Sequence, residues 1–104
     1  MILWPCILKL AGDNELIYLS SLDVFVSESK QIIFHHDDYI IDSNGHCFLI
    51  ETILNTHILP CAYRVILTEE VTALIRAHEF NKASLCLTKI HFSTVSEAVN
   101  SLNY

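Results

Sequence analysis

Hydrophobic positions alternate in short runs over the first two thirds of the chain and change to a helical period after residue 67. Residues 6–10 and 15–19 are two apolar, β-branched or aromatic runs. Gly12-Asp13-Asn14 between them tolerates the positive φ that a tight connection needs, so a first hairpin is expected. Leu22, Phe25 and Val26 recur at helical spacing behind Ser20 and Ser21, which can cap, and predict a short helical turn. Residues 31–35 and 39–42 are rich in Ile and aromatics and read as extended, with Asp37-Asp38 breaking the run between them. Asn44-Gly45, flanked by apolar runs, is the dipeptide of a two-residue type I′ turn. That turn would set Ile41 opposite Phe48 and Asp42 opposite Cys47. Residues 53–59 form a further strand candidate before Pro60, and 63–67 a short extended piece.

From Thr68 the spacing of Val71, Leu74, Ile75 and His78 predicts a helix over 68–81. Thr68 is its expected cap, Glu69 and Glu70 complement its positive end, and Glu69, Thr72, Arg76 and Glu79 fall on the expected exposed face. Residues 85–92 alternate as a strand. Thr94-Val-Ser-Glu97 is a capping-box pattern opening a last short helix that buries Val95, Ala98, Val99 and Leu102. Strands first and helices later argue for one α+β domain over 1–104: a mainly antiparallel sheet of hairpins with two C-terminal helices packed on one face. The other face of such a sheet must pair with something or be wrapped, the segment 55–63 being one candidate cover.

Composition sharpens that last point. Hydrophobic residues make up 52% of the chain and mean hydropathy is +0.40, against 17% charged residues. Apolar surface therefore exceeds what the charged side chains can coat evenly, and a protein partner or a homodimer is expected. Twelve Asp and Glu against six Lys and Arg give a formal charge of -6, which repels phosphate backbones and anionic lipid, so neither nucleic acid nor membrane is an expected partner. The apolar start 1–8 has no preceding positive charge, Pro5 interrupts it, and no run approaches membrane-spanning length. A cytoplasmic location is expected. Cys6, Cys47, Cys61 and Cys86 show no C-x-x-C spacing and read as buried reduced thiols.

The strings Trp4-Pro-Cys-Ile-Leu-Lys-Leu10 with Gly12-Asp13 and Glu15-Leu-Ile-Tyr18, the turn Asp42-Ser-Asn-Gly45, Leu67-Thr-Glu-Glu-Val71 leading to His78, and Cys86-Leu-Thr-Lys-Ile-His-Phe92 give the chain a resemblance over nearly its whole length. It resembles a family of short bacterial proteins known as a domain of unknown function. That resemblance implies a single α+β domain and carries no activity, cofactor or catalytic residue.

His35-His36-Asp37-Asp38 is the one local string in which every side chain can ligate a divalent metal. On a strand His35 and Asp37 would share one face and His36 and Asp38 the other, so a site would need a third ligand such as His46 or His57. The plainer reading is a polar strand end entering a turn. His78 on an apolar stripe is a partly buried helix-end histidine or half of a Cys and His pair. His91 with Lys89 marks a strand end or a site rim, and Cys61 beside Pro60 lacks the basic neighbours that would activate a thiol. The aromatics Trp4, Tyr18, Phe25, Phe34, Tyr39, Phe48, Phe80 and Phe92 read as core and edge-covering residues rather than a ligand cage. Phosphate-loop, dinucleotide, nucleophile-elbow and zincin motifs are absent, and no catalytic residue or cofactor is expected. Two function classes follow: a non-enzymatic protein-interaction module, and a small divalent-metal-binding protein using the 35–38 string.

Overall fold

In the computed structural model, which describes residues 2–54, 62–82 and 90–103, five antiparallel strands form one sheet in the order β2-β1-β3-β4-β5. The first hairpin pairs β1 (Cys6–Lys9) with β2 (Leu16–Leu19), Cys6 opposite Leu19 and Lys9 opposite Leu16. Gly12 at φ 77 turns its loop. The Asp13 carboxylate accepts the Glu15 N–H at 2.9 Å, and the Lys9 ammonium donates to the Leu10 and Asp13 carbonyls. The expected helical turn is a full helix, α1 (Leu22–Ser29), capped by Ser21, whose hydroxyl accepts the Val24 N–H at 3.3 Å.

The strand expected over 31–35 does not form. Asp38 explains why: its N–H donates to the His35 carbonyl, and its carboxylate accepts the His35 N–H at 2.7 Å. The backbone there closes a local turn instead of joining a ladder. Ile32 and Phe34 still pack inward, while Ile33 is 91% exposed.

The second hairpin pairs β3 (Tyr39–Ile41) with β4 (His46–Leu49), but in a register shifted by one residue, with a loop one residue longer than expected. Ile41 faces Cys47, Ile40 faces Phe48, and Asp42 bonds His46. The cause is the Asp42 carboxylate, fully buried, which accepts the N–H groups of both Asn44 and His46 at 2.9 Å. That arrangement makes the loop three residues, 43–45, with Gly45 at φ 85 supplying the left-handed position. A one-residue slip exchanges faces, so Cys47 joins Ile7 and Ile41 while Phe48 joins Leu8 and Ile40.

The chain then turns into α2 (Ile50–Leu54) where a strand over 53–59 was expected. Ile50 donates to the Asp38 carbonyl and the Thr52 hydroxyl to the Leu49 carbonyl, which turns the backbone out of β4. Residues 55–59 lie outside the described residues, as do 85–89 of the strand expected over 85–92, whose remainder at 90–92 has no regular structure. The extended piece at 63–67 contains β5 (Arg64–Val65), antiparallel to β4.

Helix α3 (Thr68–Lys82) forms as its period implies, although Leu67 rather than Thr68 holds the cap position: its carbonyl accepts the N–H groups of Glu70 and Val71. Val71, Ile75 and His78 are buried and Leu74 is half-buried. Glu69 and Arg76 are exposed, but Thr72 and Glu79, expected in solvent, are buried. The segment after residue 90 runs beside that flank, where the Arg76 guanidinium grips the Ile90 carbonyl through Nε at 3.2 Å and Nη2 at 2.7 Å. Helix α4 (Val95–Asn100) starts at Thr94, whose hydroxyl accepts the Glu97 N–H at 3.1 Å.

Two apolar clusters result, one on each side of the sheet. Ile7, Ile41, Cys47 and Ile66 pack against Val71 and Ile75 of α3 and Ala98 and Val99 of α4, the face on which C-terminal helices were expected. Leu8, Leu19, Ile40 and Phe48 pack against Phe25 of α1 and Ile50 of α2, with Trp4 and Phe34 closing the layer. Trp4, Phe25 and Phe34 stack in series, ring centroids 6.3 and 6.4 Å apart. Among the described residues the second face is therefore covered by α1 and α2, where an open face was expected.

Candidate functional site

The 35–38 string is dispersed by the turn it forms. His35, His36 and Asp37 are exposed and Asp38 is buried. Both Asp38 oxygens serve backbone amides: Oδ1 accepts the Ala11 N–H and Oδ2 the His35 N–H, each at 2.7 Å. The carboxylate thus ties the first hairpin loop to the start of β3. His36 and Asp37 meet at 3.2 Å in solvent, where such a pair contributes little. His46, one proposed third ligand, lies instead beside Asp42, Nδ1 to Oδ2 at 3.7 Å; His57, the other, lies outside the described residues. Among the described residues no group of three or more His, Cys, Asp or Glu side chains is placed to hold a metal ion. The metal-binding alternative has no support here.

Asp42 plays a similar fastening part, since Oδ2 also accepts the Leu3 N–H at 3.2 Å and the Ser43 hydroxyl donates to the Pro5 carbonyl at 2.7 Å. Cys6 and Cys47 are buried free thiols. Burial raises both pKa values, that of Cys47 to about 11, so neither is a ready nucleophile. Cys61, Cys86 and Lys89 lie outside the described residues. His78 is buried, with Nδ1 accepting the Leu16 N–H at 3.0 Å, and so braces β2 from α3.

His91 lines a cleft of about 240 Å³ with Thr68, Glu69, Thr72, Arg76 and Phe92. Ligand sites are commonly ~300–1,000 Å³. Its Arg76 already grips Ile90, and the Thr72 hydroxyl donates to the Thr68 carbonyl. A wider depression of about 410 Å³ at Ser43, Asn44 and 93–96 is lined largely by hydroxyls and open to solvent.

The β5 edge differs in kind. Val65 and Leu67 alternate along the β5 segment at 58% and 64% exposure, and Tyr63, at the bend before it, is 47% exposed. Arg64 points away from Val65 and shares its side with Tyr63: the guanidinium lies over the rings of Tyr39 (5.6 Å) and Tyr63 (6.0 Å), which meet edge to face at 6.3 Å, and it meets Glu70 at 3.2 Å. Hydrogen bonding to Tyr63 holds Arg64 firmly cationic, with partial burial opposing and Glu70 assisting. Burial in turn raises the Tyr39 pKa, so that ring presents a neutral face to the cation. Sequence reasoning took 63–67 as a strand and missed it as a site. The available signal was that both parities are apolar, Ile66 inward and Val65 and Leu67 outward.

Fold and site together define an α+β domain: an antiparallel sheet covered by helices on both faces, with an apolar row along one edge. The chain belongs to the domain family DUF4144, described as a protein structure with unknown function, whose model matches residues 4–102. A solved structure described as the NMR structure of the protein from Shewanella amazonensis is similar to it at 30% identity and a TM-score of 0.73, over 99% of this chain and 89% of that one. No curated protein matches the chain.

Proposed function

We propose that this domain is a non-enzymatic protein-interaction module that meets its partner along the β5 edge. One observation carries the reading: with both sheet faces covered, Val65 and Leu67 still stand in solvent on a strand that ends the sheet among the described residues. Arg64 over Tyr39 and Tyr63 adds aromatic and guanidinium surface, the composition that concentrates binding energy at interfaces. A cytoplasmic setting in a bacterial cell fits the buried free thiols and the Shewanella relative. No helix among the described residues is long and apolar enough to cross a membrane.

Affinity capture from the producing cells with the wild-type chain and with a Val65→Lys, Leu67→Ser variant tests this reading. A partner retained by the first and lost by the second supports it, and an identical set on both refutes it. Sedimentation equilibrium on the same proteins reports whether the partner is a second copy, through departure from the 11.9 kDa monomer mass.

A further inference from the structure

The backbone at the β5 edge has a polarity that complements its side chains. Ile66 donates to the Gly45 carbonyl at 2.7 Å and Arg64 lies opposite Cys47. Val65 lies between Arg64 and Ile66, both turned to β4, so its own N–H and C=O point away from β4, while before it the Tyr63 N–H returns to the Cys47 carbonyl at 3.0 Å. That pair, beside the exposed Val65 and Leu67 side chains, is what an added strand uses: main-chain bonds for affinity and alternate side chains for selection.

Charge selects among possible strands. Glu69 and Glu70 are exposed in the first turn of α3, immediately beyond the row. The cation on β5 itself, Arg64, is already engaged by Glu70 and the two rings. The chain as a whole carries -6, so a second copy approaches against its own charge while a basic segment is drawn in. Resting on the interface reading above, we infer that the β5 edge receives an extended segment of a partner protein with alternating apolar residues flanked by Lys or Arg, added as a further strand. Two residues of β5 make few main-chain bonds, and the binding is weak and salt-sensitive.

The test is an amide NMR titration of the full ¹⁵N-labelled chain with two probes, acetyl-Lys-Val-Thr-Val-Thr-Val-Lys-amide and the same peptide with Glu for Lys. The inference expects the basic peptide to move the signals of 63–67, to bind about tenfold or more tightly than the acidic one, and to lose that advantage with Glu69→Lys. N-methylation of the peptide's central valine, which leaves the protein untouched, should abolish binding. Equal affinity for both peptides overturns the charge assignment and leaves β5 as an interface. Signals of 63–67 that move with protein concentration, without peptide, make the occupant a second copy and overturn the inference. Peptide-induced shifts confined to other residues overturn both this inference and the interface reading. Absence of binding by either peptide overturns strand addition, with the capture experiment then deciding the interface independently.

Discussion

Replacing Gly45 by alanine separates two costs that a turn glycine combines. Gly45 sits at φ 85, and a Cβ there would come within 2.8 Å of the Ile66 carbonyl oxygen and 3.3 Å of a Val95 methyl. Gly12 sits at a similar φ of 77 with nothing within 4 Å of the added carbon. Left-handed backbone costs an alanine roughly 1–2 kcal/mol, and the entropy lost by the unfolded chain is the same at both sites. Gly12→Ala should therefore cost about 1 kcal/mol. At Gly45 the clash is with backbone, which cannot rotate away, and relief must stretch the 2.7 Å bond from Ile66 N–H to the Gly45 carbonyl that holds β5 on the sheet. Overpacking of this kind costs ~1–3 kcal/mol further, so Gly45→Ala should cost about 3 kcal/mol in all. Urea unfolding of the two variants and the parent, with unchanged m-values, gives both numbers. Losses agreeing to within ~0.5 kcal/mol would refute the packing of the 43–45 turn against Ile66 and Val95.

Asp38→Asn should destabilise by ~2–3 kcal/mol, because an amide NH2 would replace one of two oxygens that each accept a buried N–H. The amide signals of Ala11 or His35 should move with the unfolding midpoint. Ile75→Ala, at a site 2% exposed, should cost ~2–4 kcal/mol, and Leu74→Ala, half-buried, about half that; the reverse order in urea unfolding would mean that α3 is rotated from the position described. In a chain carrying Cys61→Ser and Cys86→Ser, the remaining thiols should react with an aromatic disulfide reagent at the rate of unfolding, and burst labelling would contradict their burial. The Cys47 thiol ionises at about 11 in the fold against 9.0 ordinarily, so its contribution is complete below pH ~9 and is lost as pH rises toward 11. Stability profiles of parent and Cys47→Ala should converge over that window.

Local signals survived folding well. Ser21 and Thr94 cap the helices that their positions announce, and Gly12 and Gly45 mark the two hairpin loops. What failed was whatever depended on a carboxylate finding backbone amides. Asp42 lengthened the Asn44-Gly45 turn by one residue, and Asp38 turned 31–38 away from the sheet while holding Ala11, 27 residues distant. No periodicity encodes such bonds, since the same Asp in solvent leaves the pattern unchanged. Thr72 was misplaced for a related reason: a helical period finds the face toward the sheet, not the flank beside His91 and Phe92, and it did not find the burial of Glu79. The exposure of Val65 and Leu67 was legible as alternation in the 63–67 piece, but its meaning depends on strand order, which puts β5 at an edge of the sheet among the described residues. The surplus hydropathy, read as an open face awaiting a partner, belongs largely to two cores instead of one.

The central claim is that the partner meets this protein at β5, and site-specific photocrosslinking in living cells tests it most directly. A photoreactive phenylalanine derivative replaces Val65 in one strain and Ile33, 91% exposed in a loop away from the described row, in another. The account predicts a discrete adduct of higher mass from position 65 on irradiation and none of that mass from position 33. No adduct from position 65, or the same adduct from both positions, would contradict it.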